Sequence, residues 1–439
     1  LQYTKQEVLE FVAENDVKFI RLSFCDLFGT LKNIAIMASQ LERAFAQGIS
    51  FDGSAVKGFM NVSESDLLLF PIPETLAILP WRPQQGKVAR LFCEIRYPGG
   101  APFEGDCRSL LCRSVEEASR NGYLCNVGAE CEFYLFQTDD RGEPTYLPQD
   151  RAGYCDLSPQ DRGENVRREI CLTLEEMGFQ PQSSHHEQGP GQNEVVFAYS
   201  DALTAADNLI TFKAVVRTVA ARSGLFASFL PKPLKEASGS GLHVNLSLFS
   251  EDGNLFEEPL EDSAGAARHF IAGILRRARE LSIFLNPIPN SYGRFGAYEA
   301  PKYVTWSRQN RSQLVRIPAA KGEYSRMELR SPDPSCNPYL VFALLLEAGM
   351  EGVREELPLP PPADFDLYRA PQEKLGQLEL LPKDMGEAIE LCRQSQFVKK
   401  VLPARMLEKY LEYKNTEWWQ FLQAKDADQW EEERYFRVI

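Results

Sequence analysis

Long apolar runs are missing from this chain. The longest, Tyr339–Leu346, is eight residues, against the roughly 20 that a membrane-spanning helix needs. Leu1–Asn15 is polar and helix-like, without the apolar core of a secretory leader. Basic residues are outnumbered, with 48 Lys and Arg against 62 Asp and Glu and a net charge of −14. That balance argues against binding to nucleic acid or an anionic membrane surface. Histidine is scarce, at four residues. The ten cysteines form no metal-binding spacing: Cys107 and Cys112, like Cys125 and Cys131, stand too far apart for a CxxC knuckle. Reduced thiols in a cytoplasmic protein are expected. Neither a GxxxxGK[ST] phosphate loop nor a kinase signature set is present, so any nucleotide must be held differently.

What is there reads as an ordinary globular protein. Of 439 residues, 44% are apolar and 25% charged, enough to bury a core without disulfide or metal staples. The first hundred residues read as short strands with one helix. Val17–Leu22 alternates, Asp26–Thr30 turns, and Leu31–Ile36 alternates again. A helix is expected over Ser39–Gly48, with Ser39 as N-cap and Gly48 as stop. Beyond Pro98-Gly99-Gly100, longer helices alternate with strands. Helices are expected near Arg108–Asn121, Gly163–Met177, Asp201–Arg222, Asp262–Phe284 and Asn337–Glu356. The fold class is therefore α+β, with a small N-terminal domain (1–100) and a large C-terminal domain (101–439).

Four strand-like segments carry polar residues at alternate positions, which places them on one face. Glu130 and Glu132 flank Cys131 before an apolar run, Phe133–Phe136. Paired carboxylates on a half-buried strand repel unless cations or a metal sit between them. Glu187 and Glu194 flank a glycine-bearing turn after the pair His185-His186. Neighbours on a strand face opposite ways, so at most one of these histidines shares the side of Glu187, and a structural role is expected for the pair. His243, Asn245 and Ser247 share one face after Gly239-Ser240-Gly241, and Arg326, Glu328 and Arg330 share another. Each segment alone fits a solvated face or a satisfied core histidine. Together they supply five glutamates, Glu187 among them, and one histidine, a donor set that suits Mg²⁺ or Mn²⁺ better than zinc or copper. So many carboxylates imply two or more ions, an arrangement that clamps transferring phosphoryl groups. Arginines recur nearby, at 294, 308, 311, 316, 326 and 330, and their planar forks suit phosphate and carboxylate.

Taken in order, these segments resemble type I glutamine synthetase of the shorter, alpha-type bacterial subgroup. Phe51-Asp52-Gly53-Ser54, Pro231-Lys232-Pro233, Gly239–Asn245, Asn290-Ser291-Tyr292, Tyr298-Glu299-Ala300-Pro301, Gln309-Asn310-Arg311-Ser312 and Arg316-Ile317-Pro318 extend the resemblance over essentially the whole chain. The resemblance implies an N-terminal β-grasp domain and a catalytic domain whose antiparallel sheet lines the site. It implies ATP-dependent ligation of ammonium to L-glutamate through γ-glutamyl phosphate. It also implies a dodecamer of two hexameric rings with active sites shared between neighbouring subunits. Carried over residue by residue, Glu132, Glu187 and Glu194 match the ligands of one metal, and Glu130, His243 and Glu328 those of the other. Arg294 and Arg330 match the residues that hold glutamate, with Gly239 at the same pocket. Phe197, Asn245, Ser247, Arg316 and Arg326 match the nucleotide side, and Arg311 and Arg316 face the phosphates. Glu299 matches the glutamate of the closing flap. Asp52, from a neighbouring subunit, matches the acceptor of the ammonium proton, with Ser54 and Tyr154 in the same pocket.

The sequence departs from the family pattern at several points. Ser238 stands where the family has asparagine, the flap Arg294–Glu299 is one residue short, and Lys57 replaces a glutamate. Asn61 occupies the place of an arginine tied to feedback by glutamine, and the surroundings of Tyr368 do not reproduce the adenylylation context. Two competing readings follow: a γ-glutamyl ligase that uses an organic amine or polyamine, and a catalytically impaired regulator. The presence of Asp52, Tyr154 and Glu187 favours ammonium.

Overall fold

The structure is a computed structural model that describes residues 3–62, 65–82, 84–257, 260 and 265–439. After a first helix, α1 (Lys5–Glu14), the strands β1 (Val17–Cys25), β2 (Leu31–Met37), β3 (Ile49–Asp52), β4 (Asp66–Pro71), β5 (Ala77–Ile78) and β6 (Lys87–Arg96) form one mixed sheet, with α2 (Leu41–Gln47) between β2 and β3. The sheet order is β2-β1-β6-β4-β3, with β5 beside β6. The β1–β2 turn forms where expected, because the Asp26 carboxylate accepts from the backbone N–H groups of Phe28 and Thr30.

Two local expectations need correcting. Helix α1 forms within Leu1–Asn15, the stretch read as helix-like, so this module has two helices rather than one; a reciprocal capping box between Thr4 and Glu7 starts it. Ser39 is not an N-cap. It lies inside a 3₁₀ turn, Ala38–Gln40, that runs directly into α2, so no side-chain cap is made there. Gly48 does end α2, at φ +72°.

The second sheet has eleven strands among the described residues. Its members are β7 (Leu124–Thr138), β8 (Pro144–Pro148), β9 (Pro181–His186), β10 (Gln192–Phe197), β11 (Ser200–Asp201), β12 (Leu225–Ser228), β13 (Leu242–Ser250), β14 (Gly253–Asn254), β15 (Trp306–Arg308), β16 (Val315–Ile317) and β17 (Met327–Leu329). The main path is β15-β16-β17-β13-β7-β10-β9, antiparallel apart from the parallel β15–β16 pair. Helices α3 (Cys107–Arg120), α4 (Glu164–Glu176), α5 (Ala202–Arg222), α6 (Ala266–Leu285) and α7 (Pro338–Arg354) pack behind it. They fall within a residue or so of the expected helices at nearly every bound, except that Asp262, the expected start of α6, lies outside the described residues. The apolar run Tyr339–Leu346 lies inside α7, fully buried against α6. Helices α8 (Gln372–Leu375), α9 (Met385–Gln394), α10 (Gln396–Val401), α11 (Ala404–Gln423) and α12 (Ala427–Glu431) follow α7. Among the described residues no helix is long and apolar enough to cross a membrane.

Strand alternation divides the large sheet into a core face and an open face. Val127, Ala129, Cys131, Phe133 and Leu135 of β7 are buried in the main core with Val195 of β10, Leu242, Val244 and Leu246 of β13, and Met327 and Leu329 of β17. The intervening residues are therefore forced onto the opposite face.

Candidate active site

The open face carries the glutamates and His243, and strand register sets their spacing. His243 pairs with Glu130, Glu194 pairs with Glu132 on one side and His185 on the other, and Glu328 pairs with Asn245 and Arg316. A one-residue slip in any ladder would turn that strand's ligands into the core. The side chains converge. His243 Nδ1 lies 3.6 Å from Glu130 Oε2 and 3.7 Å from Glu328 Oε1, and its Nε2 lies 4.0 Å from Glu132 Oε1. His185 Nε2 lies 2.8 Å from Glu187 Oε1 and 3.8 Å from Glu194 Oε1.

Two groups of donor atoms each fit within a 4.8 Å sphere of mutual distances: Glu130, Glu194 and His243, and His185, Glu187 and Glu194. Their electrostatics calls for cations. Burial pushes the Glu194 carboxyl well above its ordinary range, and the negative charges of Glu132, Glu130 and Glu187 add to the effect. Glu132 is also raised, by burial first. Glu130 goes the other way: burial opposes ionisation, but the hydrogen bond and charge of His243, with Asn245 and Arg326, bring it down to about 2. Glu328 is likewise held low against burial, chiefly by Arg330 and His243. Donor groups rich in carboxylate, with one imidazole each, fit Mg²⁺ or Mn²⁺.

The cavity beside these residues holds about 400 Å³ and is lined by Tyr154, Gln188, Ser238, Gly239, Arg294, Glu299, Arg311 and Arg330, among others. Arg294 is buried, donating to the carbonyls of Arg330, Ser331 and Pro332. Two glycines make room for it. A Cβ on Gly239 would sit 2.5 Å from the Pro231 carbonyl oxygen and 2.6 Å from Arg294 Cγ, and one on Gly241 would meet His243 Nε2 at 2.9 Å. Arg330 pairs with Glu328 and reaches 3.9 Å from Glu299 Oε2. Tyr298 and Glu299 of the flap both have positive φ, +48° and +65°, a costly conformation for residues with side chains.

Phe197, Asn245, Ser247 and Arg326, the residues expected to meet the nucleotide, line a small adjoining cavity that shares Glu130. Asn245 donates to Glu130 at 2.9 Å and accepts from Arg326 at 2.7 Å. Arg316 donates to Glu328 at 2.6 Å. Asp52 and Ser54 are not brought to the cavity within one chain. They lie at the exposed end of β3, where the Asp52 carboxylate accepts from Ser54 N and Oγ.

Two site features escaped the sequence reading. His185 belongs to the cavity wall rather than to a purely structural pair, whereas His186 points into the protein and bonds Asp150 at 2.8 Å and the Glu187 carbonyl at 2.7 Å. The strand alternation that separated the pair is the signal that could have assigned His185. Gln192 also escaped notice. Its amide donates to Glu132 at 2.8 Å and its carbonyl accepts from Ser238 Oγ, so Ser238 positions a carboxylate from the place of the family's asparagine.

Residues 104–435 match the family described as "Glutamine synthetase, catalytic domain", and residues 16–98 match "Glutamine synthetase, beta-Grasp domain". The chain belongs to the glutamine synthetase family. A glutamine synthetase from Clostridium saccharobutylicum is 47% identical over 439 residues, covering 99% of each chain. One from Methanosarcina mazei is 44% identical, covering 99% of this chain and 98% of its own. One from Staphylococcus aureus is 42% identical over the same shares. Among solved structures, a GmaS/ADP complex superposes with a TM-score of 0.86 at 30% identity, covering 97% of this chain and 98% of the other. The β-grasp module and the α+β fold follow the family architecture expected from the sequence.

Proposed function

We propose that the protein ligates ammonium to L-glutamate at the expense of ATP, giving L-glutamine, ADP and phosphate. The observation that carries this reading is the convergence of Glu130, Glu132, Glu187, Glu194 and His243 on one arginine-walled cavity, with Glu328 3.7 Å behind His243, in a chain whose full-length relatives are named glutamine synthetase. Glu132, Glu187 and Glu194 would hold one divalent ion, and Glu130, His243 and Glu328 another. Bound Mg²⁺ or Mn²⁺ would offset the phosphate charge during transfer.

The chain's own residues do the rest. Arg294, Arg330 and the opening at Gly239 receive the glutamate carboxylates. Phe197, Asn245, Ser247 and Arg326 receive the nucleotide. A γ-carboxylate oxygen attacks the γ-phosphorus of ATP and ADP leaves, while Arg311 and Arg316 stabilise the charge on the phosphoryl oxygens. Asp52, in a pocket with Tyr154 and Ser54, takes a proton from ammonium. The resulting ammonia attacks the γ-carbonyl carbon and phosphate leaves. Glu299 closes the flap, because γ-glutamyl phosphate would otherwise react with water.

The exposure of Asp52 supports a site completed by a neighbouring subunit, and with it a ring-based dodecamer. Cytoplasmic placement is part of the same proposal, supported by ten cysteines that are all unpaired. So is a division into domains 1–100 and 101–439, supported by the two family matches. The deciding experiment measures ATP-dependent phosphate release with glutamate and ammonium, beside a panel of amines. Ammonium should be the preferred nucleophile. Preference for putrescine or another amine at equal free-base concentration would replace this reading with an amine ligase.

A further inference from the structure

A second cavity of about 360 Å³ lies at the seam between the β1–β2 turn and the catalytic module, on residues that the proposed reaction does not use. One wall is a face of α5 that presents Ile210, Lys213, Ala214 and Arg217. The opposite wall is aromatic, with Phe28 from the turn and Tyr410 and Tyr413 from α11. Phe28 packs against both tyrosines, stacked on Tyr410 at a ring-centroid distance of 5.5 Å and tilted against Tyr413 at 4.3 Å.

The charged side chains lining this cavity do not balance. Glu417 is its one acidic side chain, and it is already taken up by Lys414 at 2.8 Å and Arg434 at 3.1 Å. Three further cations, Lys57, Lys213 and Arg217, line the cavity, and among the described residues none of them has a carboxylate within 4.0 Å. Lys213 is the informative one. It is 9% exposed, and among the described residues its ammonium meets only the backbone carbonyls of Pro334 and Cys336. An ammonium has three donors, so one is left over, and a lysine this buried ordinarily has a charged partner. Arg217 lies one helical turn further along the same face. Its guanidinium covers the Phe229 ring and donates once, to the Val438 carbonyl, which leaves most of its fork unused.

We propose that this seam is a binding site for a small aromatic anion, carboxylate or phosphate. The anionic group would take the free donors of Lys213 and Arg217, and the ring would lie against Phe28, Tyr410 and Tyr413. Because the cavity joins the β1–β2 turn to α11, occupancy stabilises that seam and raises the melting temperature.

Fluorescence titration of the full chain with anthranilate tests this, with phenyl phosphate and inorganic phosphate as competitors. Saturable anthranilate binding is expected, unchanged by saturating ADP. Stronger displacement by phenyl phosphate than by inorganic phosphate would show that the ring contributes. Arg217→Ala and Lys213→Met should each weaken binding at least tenfold and remove the rise in melting temperature. If Lys213→Met fails to fold, the solvent-facing Arg217→Ala carries the test alone. The proposal is overturned if no saturable binding occurs at millimolar anthranilate, if ADP displaces the probe, or if binding survives in Arg217→Ala. None of these readouts depends on catalytic activity, so the result stands apart from the function proposed for the first cavity.

Discussion

Glu130 and His243 are direct partners in the β7–β13 ladder, and the imidazole Nδ1 stands 3.6 Å from the carboxylate. Their spacing is a property of strand register, so it is rigid in a way that a loop-borne ligand pair could not be. The next residues on the same face of β13 and β7, Asn245 and Glu132, extend the arrangement along and across the sheet.

That rigidity makes the metal dependence easy to test. Chelation should abolish glutamine synthesis, and Mn²⁺ or Mg²⁺ should restore it. Glu328→Ala removes a ligand and also leaves Arg316 and Arg330 without their shared carboxylate. We expect kcat/KM for ATP to fall on the order of 10²-fold or more, measured by coupled ADP release. Full activity in excess chelator would remove the metal assignment.

That these glutamates and His243 share one face of the sheet was legible in the sequence because strand alternation is the strongest local signal a chain carries. Cys131, Val195, Val244 and Met327 mark the core face, so Glu130, Glu194, His243 and Glu328 had to face away. Contacts between distant segments were not legible. Nothing local says that Gln192 bridges Ser238 and Glu132, since residues 192 and 238 meet only through the fold. The Ser39 cap failed because a serine before a helical pattern cannot reveal that a 3₁₀ turn intervenes.

Close approach at Gly239 supplies a sharper test of the glutamate pocket. An added methyl would press on backbone at Pro231 and on the stem of Arg294. Because the backbone cannot give, Arg294 must move. Gly239→Ala should raise the KM for glutamate at least about tenfold, a cost of roughly 1.4 kcal/mol, with a smaller effect on ATP. Isotope-labelled initial-rate assays would separate the two substrates, and an unchanged KM for glutamate would dissociate Arg294 from the pocket.

Acid should loosen the C-terminal segment. Burial pushes the Glu417 carboxyl upward, but the charge of Lys414 and its hydrogen bond, then those of Arg434, outweigh it and hold the group below its ordinary 4.5. A carboxyl lowered in the folded state contributes stability that is present above 4.5 and lost as pH falls through the lowered value. Glu417→Gln leaves Lys414 buried without its partner and should destabilise the protein by about 3–5 kcal/mol at neutral pH. The gap between the two proteins in thermal melts should then narrow below pH 4.5. A gap independent of pH would show that the pair contributes nothing through its charge.

The proposal of a site shared between subunits makes the most demanding prediction. Asp52 sits exposed at the end of β3, its carboxylate accepting from Ser54, while Arg330 is buried beside Glu328 in the large sheet. If Asp52 of one subunit completes the cavity of the next, Asp52→Ala and Arg330→Ala damage opposite sides of one interface. Each variant alone should lose most glutamine synthesis, and Asp52→Ala should still bind ATP. In a mixed ring, an Arg330→Ala subunit placed beside an Asp52→Ala subunit can form one interface from an intact Asp52 and an intact Arg330. Dissociating and reassembling an equal mixture should therefore recover a fraction of wild-type activity, approaching about one quarter for random placement, because both halves must be intact at once. Light scattering would confirm that the mixture reassembles into rings. No recovery from correctly assembled mixed rings, or a fully active isolated subunit, would place the proton acceptor within a single chain.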